Sequence, residues 1–264
     1  MYIDFHIHAY ADEIAARAVQ KLKDTAQVDA FTDGTIADTR KKLEQWGIAK
    51  GVLLPVATKP TQQTTINTWA IENNHGNIIS FGTVHPYSDS VEQELERIAA
   101  AGIKGIKLHP DYQDCYMFDT RMQAIYKKCD ELGLMVVLHM GYDPVSPKTH
   151  HAMPYDLAEM AEKYPSVTFI GAHMGGMNNW ESVLHYLTGA PNVYIDTAFI
   201  APFMSDEMLL RMVDEYGEDK ILLASDLPWS RPTDEIAMIE RVIKSEAAKD
   251  KIFYKNAAAL LGLD

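Results

Sequence analysis

Short runs of apolar and β-branched residues recur along the chain, separated by longer stretches of mixed polarity. Most of these runs are apolar at both odd and even positions, which is typical of strands in a parallel sheet that helices cover on both faces. The runs occupy residues 3–9, 51–57, 78–86, 103–110, 135–141, 168–175, 193–199 and 221–229. We therefore expect eight strands, most of them buried on both faces.

Amphipathic stretches lie between the apolar runs, and their spacing of apolar residues predicts helices. Examples are residues 90–102, 120–133 and 233–248. Ser90 and Gln93 have the spacing of a capping box, and Asp119 is placed to cap the next helix. Gly102 and Gly133 stand where each helix must end before its strand begins. The pattern therefore predicts helices that each lead into the following strand.

The regular alternation of strands and helices predicts a single (β/α)8 TIM barrel of class α/β, rather than an open doubly wound sheet. After a first interval of 48 residues, successive strand runs begin 25 to 33 residues apart, close to the roughly 30 residues of one strand–helix unit. No linker or low-complexity tract divides the chain, so we expect one domain over residues 1–264. Residues 25–38 are polar and poorly periodic, which predicts a loop insertion, either a lid or a plain surface loop.

Composition and charge exclude several classes of protein. Hydrophobic residues make up 47% and charged residues 23% of the chain, as in an ordinary globular domain. The net charge is −13 and no Lys/Arg-rich block is present, which argues against nucleic acid as a partner. No apolar run approaches the roughly 18 residues of a membrane helix. No signal peptide is evident, and Cys115 and Cys129 form no disulfide framework, so we expect a cytoplasmic protein without a membrane partner.

Polar side chains occur where several of the predicted strands end. In a (β/α)8 barrel the active site lies at the carboxyl ends of the strands, so these positions are informative. They are His6 and His8 on the first strand, Lys107 and His109 on the fourth, His139 on the fifth, His173 on the sixth and Asp226 on the eighth. Any one histidine could be a hydrogen-bonded core residue. Imidazole and carboxylate groups together suit zinc and similar divalent ions. Because such groups occur at the ends of several predicted strands, a metal site is favoured.

The motifs that carry these residues resemble the amidohydrolase superfamily, and specifically its amidohydrolase-2 branch of metal-dependent hydrolases and nonoxidative decarboxylases. They read "DFHIHA", "GIKLHP", "LHMG", "GAHMGG", "ASDLPW" and "YKNAAALLGL", and together they extend over nearly the whole chain. The resemblance implies that a divalent metal, zinc first and manganese as the alternative, is held by His6, His8, His139 and Asp226. It also implies that His173 is the catalytic base, with Asp226 as a second participant in proton transfer.

Lys107 has two readings. In two-metal relatives a carboxylated lysine on strand four bridges the metals, and "IKLHP" allows that role. The alternative is an amine that binds a substrate carboxylate or pairs with Asp226, because a buried ammonium needs a partner. We favour the second reading.

Other candidates for the substrate pocket follow the fourth and fifth strands. His109, Tyr112 and Gln113 belong to a "KLHPDYQ" run that resembles hydrolase-like members of the branch, although Tyr112 could simply pack at the rim. Tyr142 and Asp143 follow the fifth-strand histidine and could line the pocket. By contrast, His150 and His151 fall in a proline-bounded loop, where we expect solvated side chains.

The leading functional hypothesis is hydrolysis of a small ester, lactone, amide or related carboxylic acid by a metal-activated water. The alternative is nonoxidative, metal-dependent decarboxylation of an aromatic or unsaturated acid. Decarboxylases of this branch tend to be longer, and few arginines lie near the predicted strand ends, so hydrolysis is favoured. A binding protein that has lost catalysis is disfavoured because the expected ligand set is unbroken. The expected partner is a small-molecule substrate, and related enzymes suggest a homodimer.

Overall fold

A computed structural model describes residues 1–263, in which eight parallel strands alternate with helices. The strands are β1 (Tyr2–Ile7), β2 (Ile48–Leu53), β3 (Ile78–Ser80), β4 (Gly105–Leu108), β5 (Met135–Leu138), β6 (Phe169–Gly171), β7 (Val193–Asp196) and β8 (Ile221–Leu222). Each of the eight predicted apolar runs overlaps one strand, although β1 and β2 begin before their runs do. The strands are shorter than the runs because most runs continue into the loop that follows, where the polar residues of interest lie.

The helices connect these strands. They are α1 (Asp12–Ala26), α2 (Ile36–Gln45), α3 (Gln63–Glu72), α4 (Val91–Ala100), α5 (Thr120–Leu132), α6 (Pro154–Lys163), α7 (Trp180–Leu187), α8 (Asp206–Arg211), α9 (Pro232–Val242), α10 (Glu246–Asp250) and α11 (Asn256–Leu261). Residues 1–263 also include two π-helical turns, Met212–Gly217 and Lys251–Lys255, and one 3-10 turn, Glu218–Lys220. Within residues 1–263 no helix has the length and apolar character needed to cross a bilayer.

The predicted helix boundaries are only partly confirmed. The Asp119 side chain caps α5 by accepting the Arg121 N–H, and Gly133 ends that helix in the left-handed region at φ 65°. The predicted capping box at Ser90 is wrong, because the Ser90 hydroxyl bonds to the Gln63 side chain and does not cap α4. The predicted helix over residues 233–248 is two helices, since the Ser245 side chain starts α10 as a new cap.

The predicted loop over residues 25–38 is also only partly correct. Residues 25 and 26 complete α1, and residues 36–38 begin α2, so the irregular segment is shorter. Thr35 caps α2 by accepting the Asp38 N–H, a cap position that serine and threonine favour.

The chain divides into two compact units, and the prediction of a single domain stays a prediction. The first unit comprises Met1–Leu53, His75–Ile79 and the chain from Ile195 onward. Its strands β1, β2 and β3 are hydrogen-bonded in that order, and the end of β7 pairs with β8. The segment that follows β8 runs parallel beside β1, with the Phe5 N–H donating to the Leu223 carbonyl. This pairing brings the carboxyl ends of the first and last strands side by side.

The second unit comprises Leu54–Asn74 and Ser80–Tyr194. Strands β4, β5 and β6 pair in parallel and in chain order, with Leu108 opposite Leu138 and Leu138 opposite Gly171. Every residue of β4 and β5 is buried. This agrees with the expectation that strands apolar on both faces are covered on both sides.

Tyr126 in α5 lies in the core of this second unit, with its ring 5.4 Å from that of Phe169. Its hydroxyl is buried and has no hydrogen-bond partner among residues 1–263. A buried hydroxyl without a partner costs roughly 1–3 kcal/mol. We therefore expect Tyr126→Phe to raise the free energy of unfolding by about 1 kcal/mol in urea denaturation.

The neighbouring Tyr164 is a matched control, because its hydroxyl does reach the Gln123 side chain, at 3.4 Å. Tyr164→Phe should be neutral or slightly destabilising. A loss of stability in Tyr126→Phe larger than in Tyr164→Phe would show that the Tyr126 hydroxyl has a stabilising partner.

Candidate active site

The first cluster of candidate ligands lies in the first unit and consists of His6, His8 and Asp226. Two backbone hydrogen bonds assemble it: the Asp226 N–H donates to the His6 carbonyl at 2.9 Å, and the His8 N–H donates to the Leu227 carbonyl. The His6 and His8 Nε2 atoms are 3.1 Å apart. The Asp226 Oδ1 lies 3.1 Å from the His8 Nε2 and 3.4 Å from the His6 Nε2. Three donor atoms therefore converge on one point.

This donor set fits a divalent metal. Ligand bonds of about 2.0–2.1 Å at tetrahedral angles place donor atoms about 3.3 Å from one another. The three separations above lie close to that value. Two imidazole nitrogens and one carboxylate oxygen also have the chemistry that zinc and similar ions prefer. His6 is almost fully buried, whereas the His8 and Asp226 side chains are 17% and 13% exposed, so the cluster can be reached from solvent.

Two further buried carboxylates lie behind this cluster. Asp196, the last residue of β7, has its Oδ2 2.9 Å from the His6 Nδ1. Asp4 accepts the Ser225 N–H and hydroxyl and the His6 backbone N–H. Burial, opposed by these hydrogen bonds, raises the pKa of Asp4 to about 7. Neither acid is among the candidates predicted from the sequence, although an acid inside an otherwise apolar strand run was an available signal.

The second cluster lies in the second unit, at the ends of β4, β5 and β6. The His139 Nδ1 is 3.1 Å from the His173 Nε2, and the His109 ring stacks on the His139 ring at 4.0 Å. The Asp143 Oδ2 lies 3.4 Å from the His109 Nε2 and 3.8 Å from the His139 Nε2. His109, His139 and Asp143 thus form a second group with metal-ligand spacing.

The surroundings of His139 favour the neutral form of its imidazole. Burial, with the neighbouring His109 and His173 as further causes, lowers its pKa well below the usual value. Its Nε2 atom is buried and has no hydrogen-bond partner among residues 1–263. Leaving a buried polar atom without a partner is costly, and neutral imidazole is the form of histidine that binds metals. His139 therefore has the properties expected of a ligand.

His173 lies in a strained turn directly after β6. His173 and Met174 both have left-handed backbones, at φ 59° and 55°, and Gly175 follows at φ 80°. The His173 carbonyl accepts the Trp180 indole N–H at 3.2 Å. Non-glycine residues rarely occupy this region, and such strain is concentrated at functional sites. The turn directs the His173 ring toward His139.

The predicted substrate residues separate into two groups. His109 and Tyr112 stack face to face at 3.6 Å, and the Tyr112 hydroxyl donates to Asp143 at 3.1 Å, so these two contribute to the second cluster. Tyr142 is 36% exposed and its ring is 6.4 Å from that of His150.

Lys107 and Gln113 are both buried. Lys107 lies in β4, and its positive charge is among the lesser causes of the low His139 pKa. Gln113 does not serve the pocket as expected. Its amide group donates to the Ala57 and Val84 carbonyls, and its oxygen accepts the His109 N–H. Gln113 therefore holds the backbone of neighbouring loops together.

His150 is exposed, as expected, but His151 is not solvated. It is buried, and its Nδ1 lies 2.8 Å from the Asp111 Oδ1, which also accepts the His151 backbone N–H. These contacts attach the loop after β5, which carries Asp143, to the loop after β4, which carries Tyr112. The side chain could not be placed from sequence because its partner is 40 residues away.

The structure thus brings His6, His8 and Asp226 together in one unit, and His109, His139 and His173 together in the other. The four-ligand set of His6, His8, His139 and Asp226, and the catalytic role of His173, stay predictions.

Comparison with known proteins places the chain in a family. The sequence model of the amidohydrolase family matches residues 3–263. A curated relative is 2-amino-3-carboxymuconate-6-semialdehyde decarboxylase from Dictyostelium discoideum, 25% identical over an alignment of 215 residues that covers 67% of this chain. The match spans 58% of that relative's length.

Solved structures show the fold. An uncharacterized TIM-barrel protein from Bordetella bronchiseptica superposes with a TM-score of 0.78 at 14% identity, over 99% of this chain and 98% of that one. A dihydroxybenzoic acid decarboxylase from Polaromonas, with bound manganese and an inhibitor, gives 0.75 at 18% identity, over 99% and 96%. The predicted (β/α)8 fold is confirmed.

The matched family and the two donor clusters support an enzyme that uses a divalent metal. By its sequence from residue 3 to residue 263, the chain belongs to the amidohydrolase family.

Proposed function

We propose that this protein is a metal-dependent, nonoxidative decarboxylase of a small aromatic or unsaturated carboxylic acid. The observation that carries the choice of reaction is the likeness to the Dictyostelium decarboxylase over 215 residues. The fold likeness to the Polaromonas decarboxylase is consistent with it. These relatives outweigh the preference for hydrolysis drawn from chain length and arginine content.

The metal in this proposal is held by His6, His8 and Asp226, whose donor atoms are 3.1–3.4 Å apart. His139 is the proposed fourth ligand, supported by its buried Nε2 without a hydrogen-bond partner among residues 1–263. A bound divalent ion supplies positive charge that binds anionic substrate oxygens and stabilises developing negative charge. The donor chemistry suits zinc, whereas the Polaromonas enzyme holds manganese.

The proposed reaction breaks the bond between the carboxylate carbon and the adjacent carbon. Carbon dioxide leaves, and the electron pair stays on the adjacent carbon, which then takes up a proton. His173 is the proposed proton carrier, because imidazole exchanges protons near pH 7 and its Nε2 is hydrogen-bonded to His139. Asp226 is the proposed second participant, as a carboxylate beside His6 and His8.

The proposed substrate contacts come from the loops after β4 and β5. His109 and Tyr112 present a pair of stacked rings, and the Tyr112 hydroxyl is oriented by Asp143. Tyr142 supplies an exposed aromatic ring on the second loop. Lys107 offers a buried ammonium that suits a carboxylate. Aromatic rings and a cation together favour a flat, anionic substrate.

Hydrolysis is the second candidate, and family membership is the observation that favours it. The same donor set would serve attack of water on an ester, lactone or amide carbonyl, with His173 as the base. The two reactions differ in their products, because decarboxylation releases carbon dioxide and hydrolysis consumes water.

The deciding experiment incubates purified protein, loaded with zinc or manganese, with a panel of dihydroxybenzoic acids and unsaturated dicarboxylic acids in D2O. We expect carbon dioxide to be released in equal amount to the acid consumed, with one deuteron on the carbon that lost it. A parallel panel of esters and lactones is followed by acid release. Turnover of the second panel without carbon dioxide from the first would replace decarboxylation with hydrolysis.

A further inference from the structure

We propose that Asp196 is a positioning residue that holds His6 in the tautomer protonated at Nδ1, so that the His6 Nε2 is available to a metal. This inference rests on the metal site of the proposed function but not on the reaction carried out there. It assigns a role to a residue that contributes no donor atom to the cluster.

The contact between the two side chains is buried and well anchored. Asp196 is 0% exposed and His6 is 1% exposed, and the Asp196 Oδ2 lies 2.9 Å from the His6 Nδ1. The other carboxylate oxygen accepts the Ala198 N–H at 3.1 Å. The backbone of Asp196 is held in the β7–β8 pairing opposite Leu222. The carboxylate therefore has little freedom to leave the imidazole.

Hydrogen-bond chemistry then determines where the His6 proton lies. A carboxylate can only accept, so the short contact requires a proton on Nδ1. In the neutral imidazole the lone pair is then on Nε2, the atom that lies 3.1 Å from the His8 Nε2 and 3.4 Å from the Asp226 Oδ1. A carboxylate behind a metal-binding histidine orients the ring and makes the ligand more basic.

The neighbouring buried acids do not have this relation to an imidazole. Asp4 accepts from the Ser225 hydroxyl and from backbone N–H groups. Glu235, also in the first unit and 1% exposed, accepts the Ala201 N–H and the Ser230 hydroxyl. Glu235→Gln is thus a matched control for replacing a buried carboxylate by an amide.

The test compares wild type, Asp196→Asn and Glu235→Gln. The dissociation constants of zinc and manganese are measured by competition with a chelator, and circular dichroism checks that each variant is folded. We expect Asp196→Asn to weaken binding about 10- to 100-fold, and Glu235→Gln to stay within about twofold of wild type. Equal affinities for Asp196→Asn and wild type would overturn the proposal.

A second measurement is made on the wild type and does not depend on the folding of Asp196→Asn. The ¹⁵N shifts of the His6 ring in metal-free wild type, assigned with His6→Gln, report which nitrogen carries the proton. A proton on Nδ1 is expected, and a proton on Nε2 would overturn the inference. Failure of the wild type to bind metal would contradict the proposed function instead, because the tautomer measurement does not depend on metal.

Discussion

His8→Ala should lose tight metal binding and lower kcat/KM by at least about 10³-fold, since a metal supplies several kcal/mol of transition-state stabilisation. The His8 Nε2 is 3.1 Å from both the His6 Nε2 and the Asp226 Oδ1, so truncation removes one corner of the donor triangle. The His8 side chain is partly exposed, and its loss leaves no large cavity in the core. The variant should therefore remain folded while metal binding fails.

His185 provides the matched control, because it is an exposed histidine on α7. His185→Ala should keep wild-type affinity and activity. Chelator competition and steady-state kinetics measure both variants. If His8→Ala retained both metal and turnover, His8 would be excluded as a ligand of the catalytic metal.

His173→Asn should lower kcat about 10²- to 10⁴-fold, the usual effect of losing a general acid or base, while metal binding is largely kept. Asparagine is chosen because His173 has a φ of 59°, a left-handed conformation that asparagine tolerates better than most residues. The side chain is removed as a proton carrier without adding backbone strain.

Steady-state kinetics and metal analysis of the same preparation separate the two possible roles of His173. A fall in kcat with metal retained supports proton transfer. Loss of metal together with activity would make His173 a ligand, and a kcat within about tenfold of wild type would exclude it as the proton carrier.

Much of the fold and part of the site could be predicted because the signals are local. A strand apolar on both faces is visible in a short window, and each of the eight predicted runs overlaps a strand. His6 and His8 are two residues apart, the spacing of side chains on one face of an extended chain, and their Nε2 atoms are 3.1 Å apart. Asp226 joins them because the chain after β8 pairs with β1, as the barrel prediction required.

The residues that were missed or misread depend on partners far away in sequence. Asp196 reaches His6 across 190 residues, and His151 reaches Asp111 across 40. The Gln113 amide donates to the Ala57 and Val84 carbonyls, and nothing in its own motif indicated these partners. Ser90 has the spacing of a capping box, yet its hydroxyl oxygen accepts a hydrogen bond from the Gln63 amide. In each case a tertiary hydrogen bond outweighed a local preference.

The reaction was the least predictable part, since specificity resides in loops and one metal site serves several chemistries. Chain length and arginine content favoured hydrolysis, whereas the curated relative is a decarboxylase. The His109 and Tyr112 rings stack face to face, and the relative orientation of two rings cannot be read from their spacing in the sequence.

The proposed function requires that the cluster of His6, His8 and Asp226 holds a catalytic metal. Elemental analysis of purified wild-type protein, supplied with zinc and manganese and then freed of unbound metal, tests it most directly. We expect about one zinc or manganese ion per chain. Protein that is folded but retains no metal after this treatment would contradict the claim.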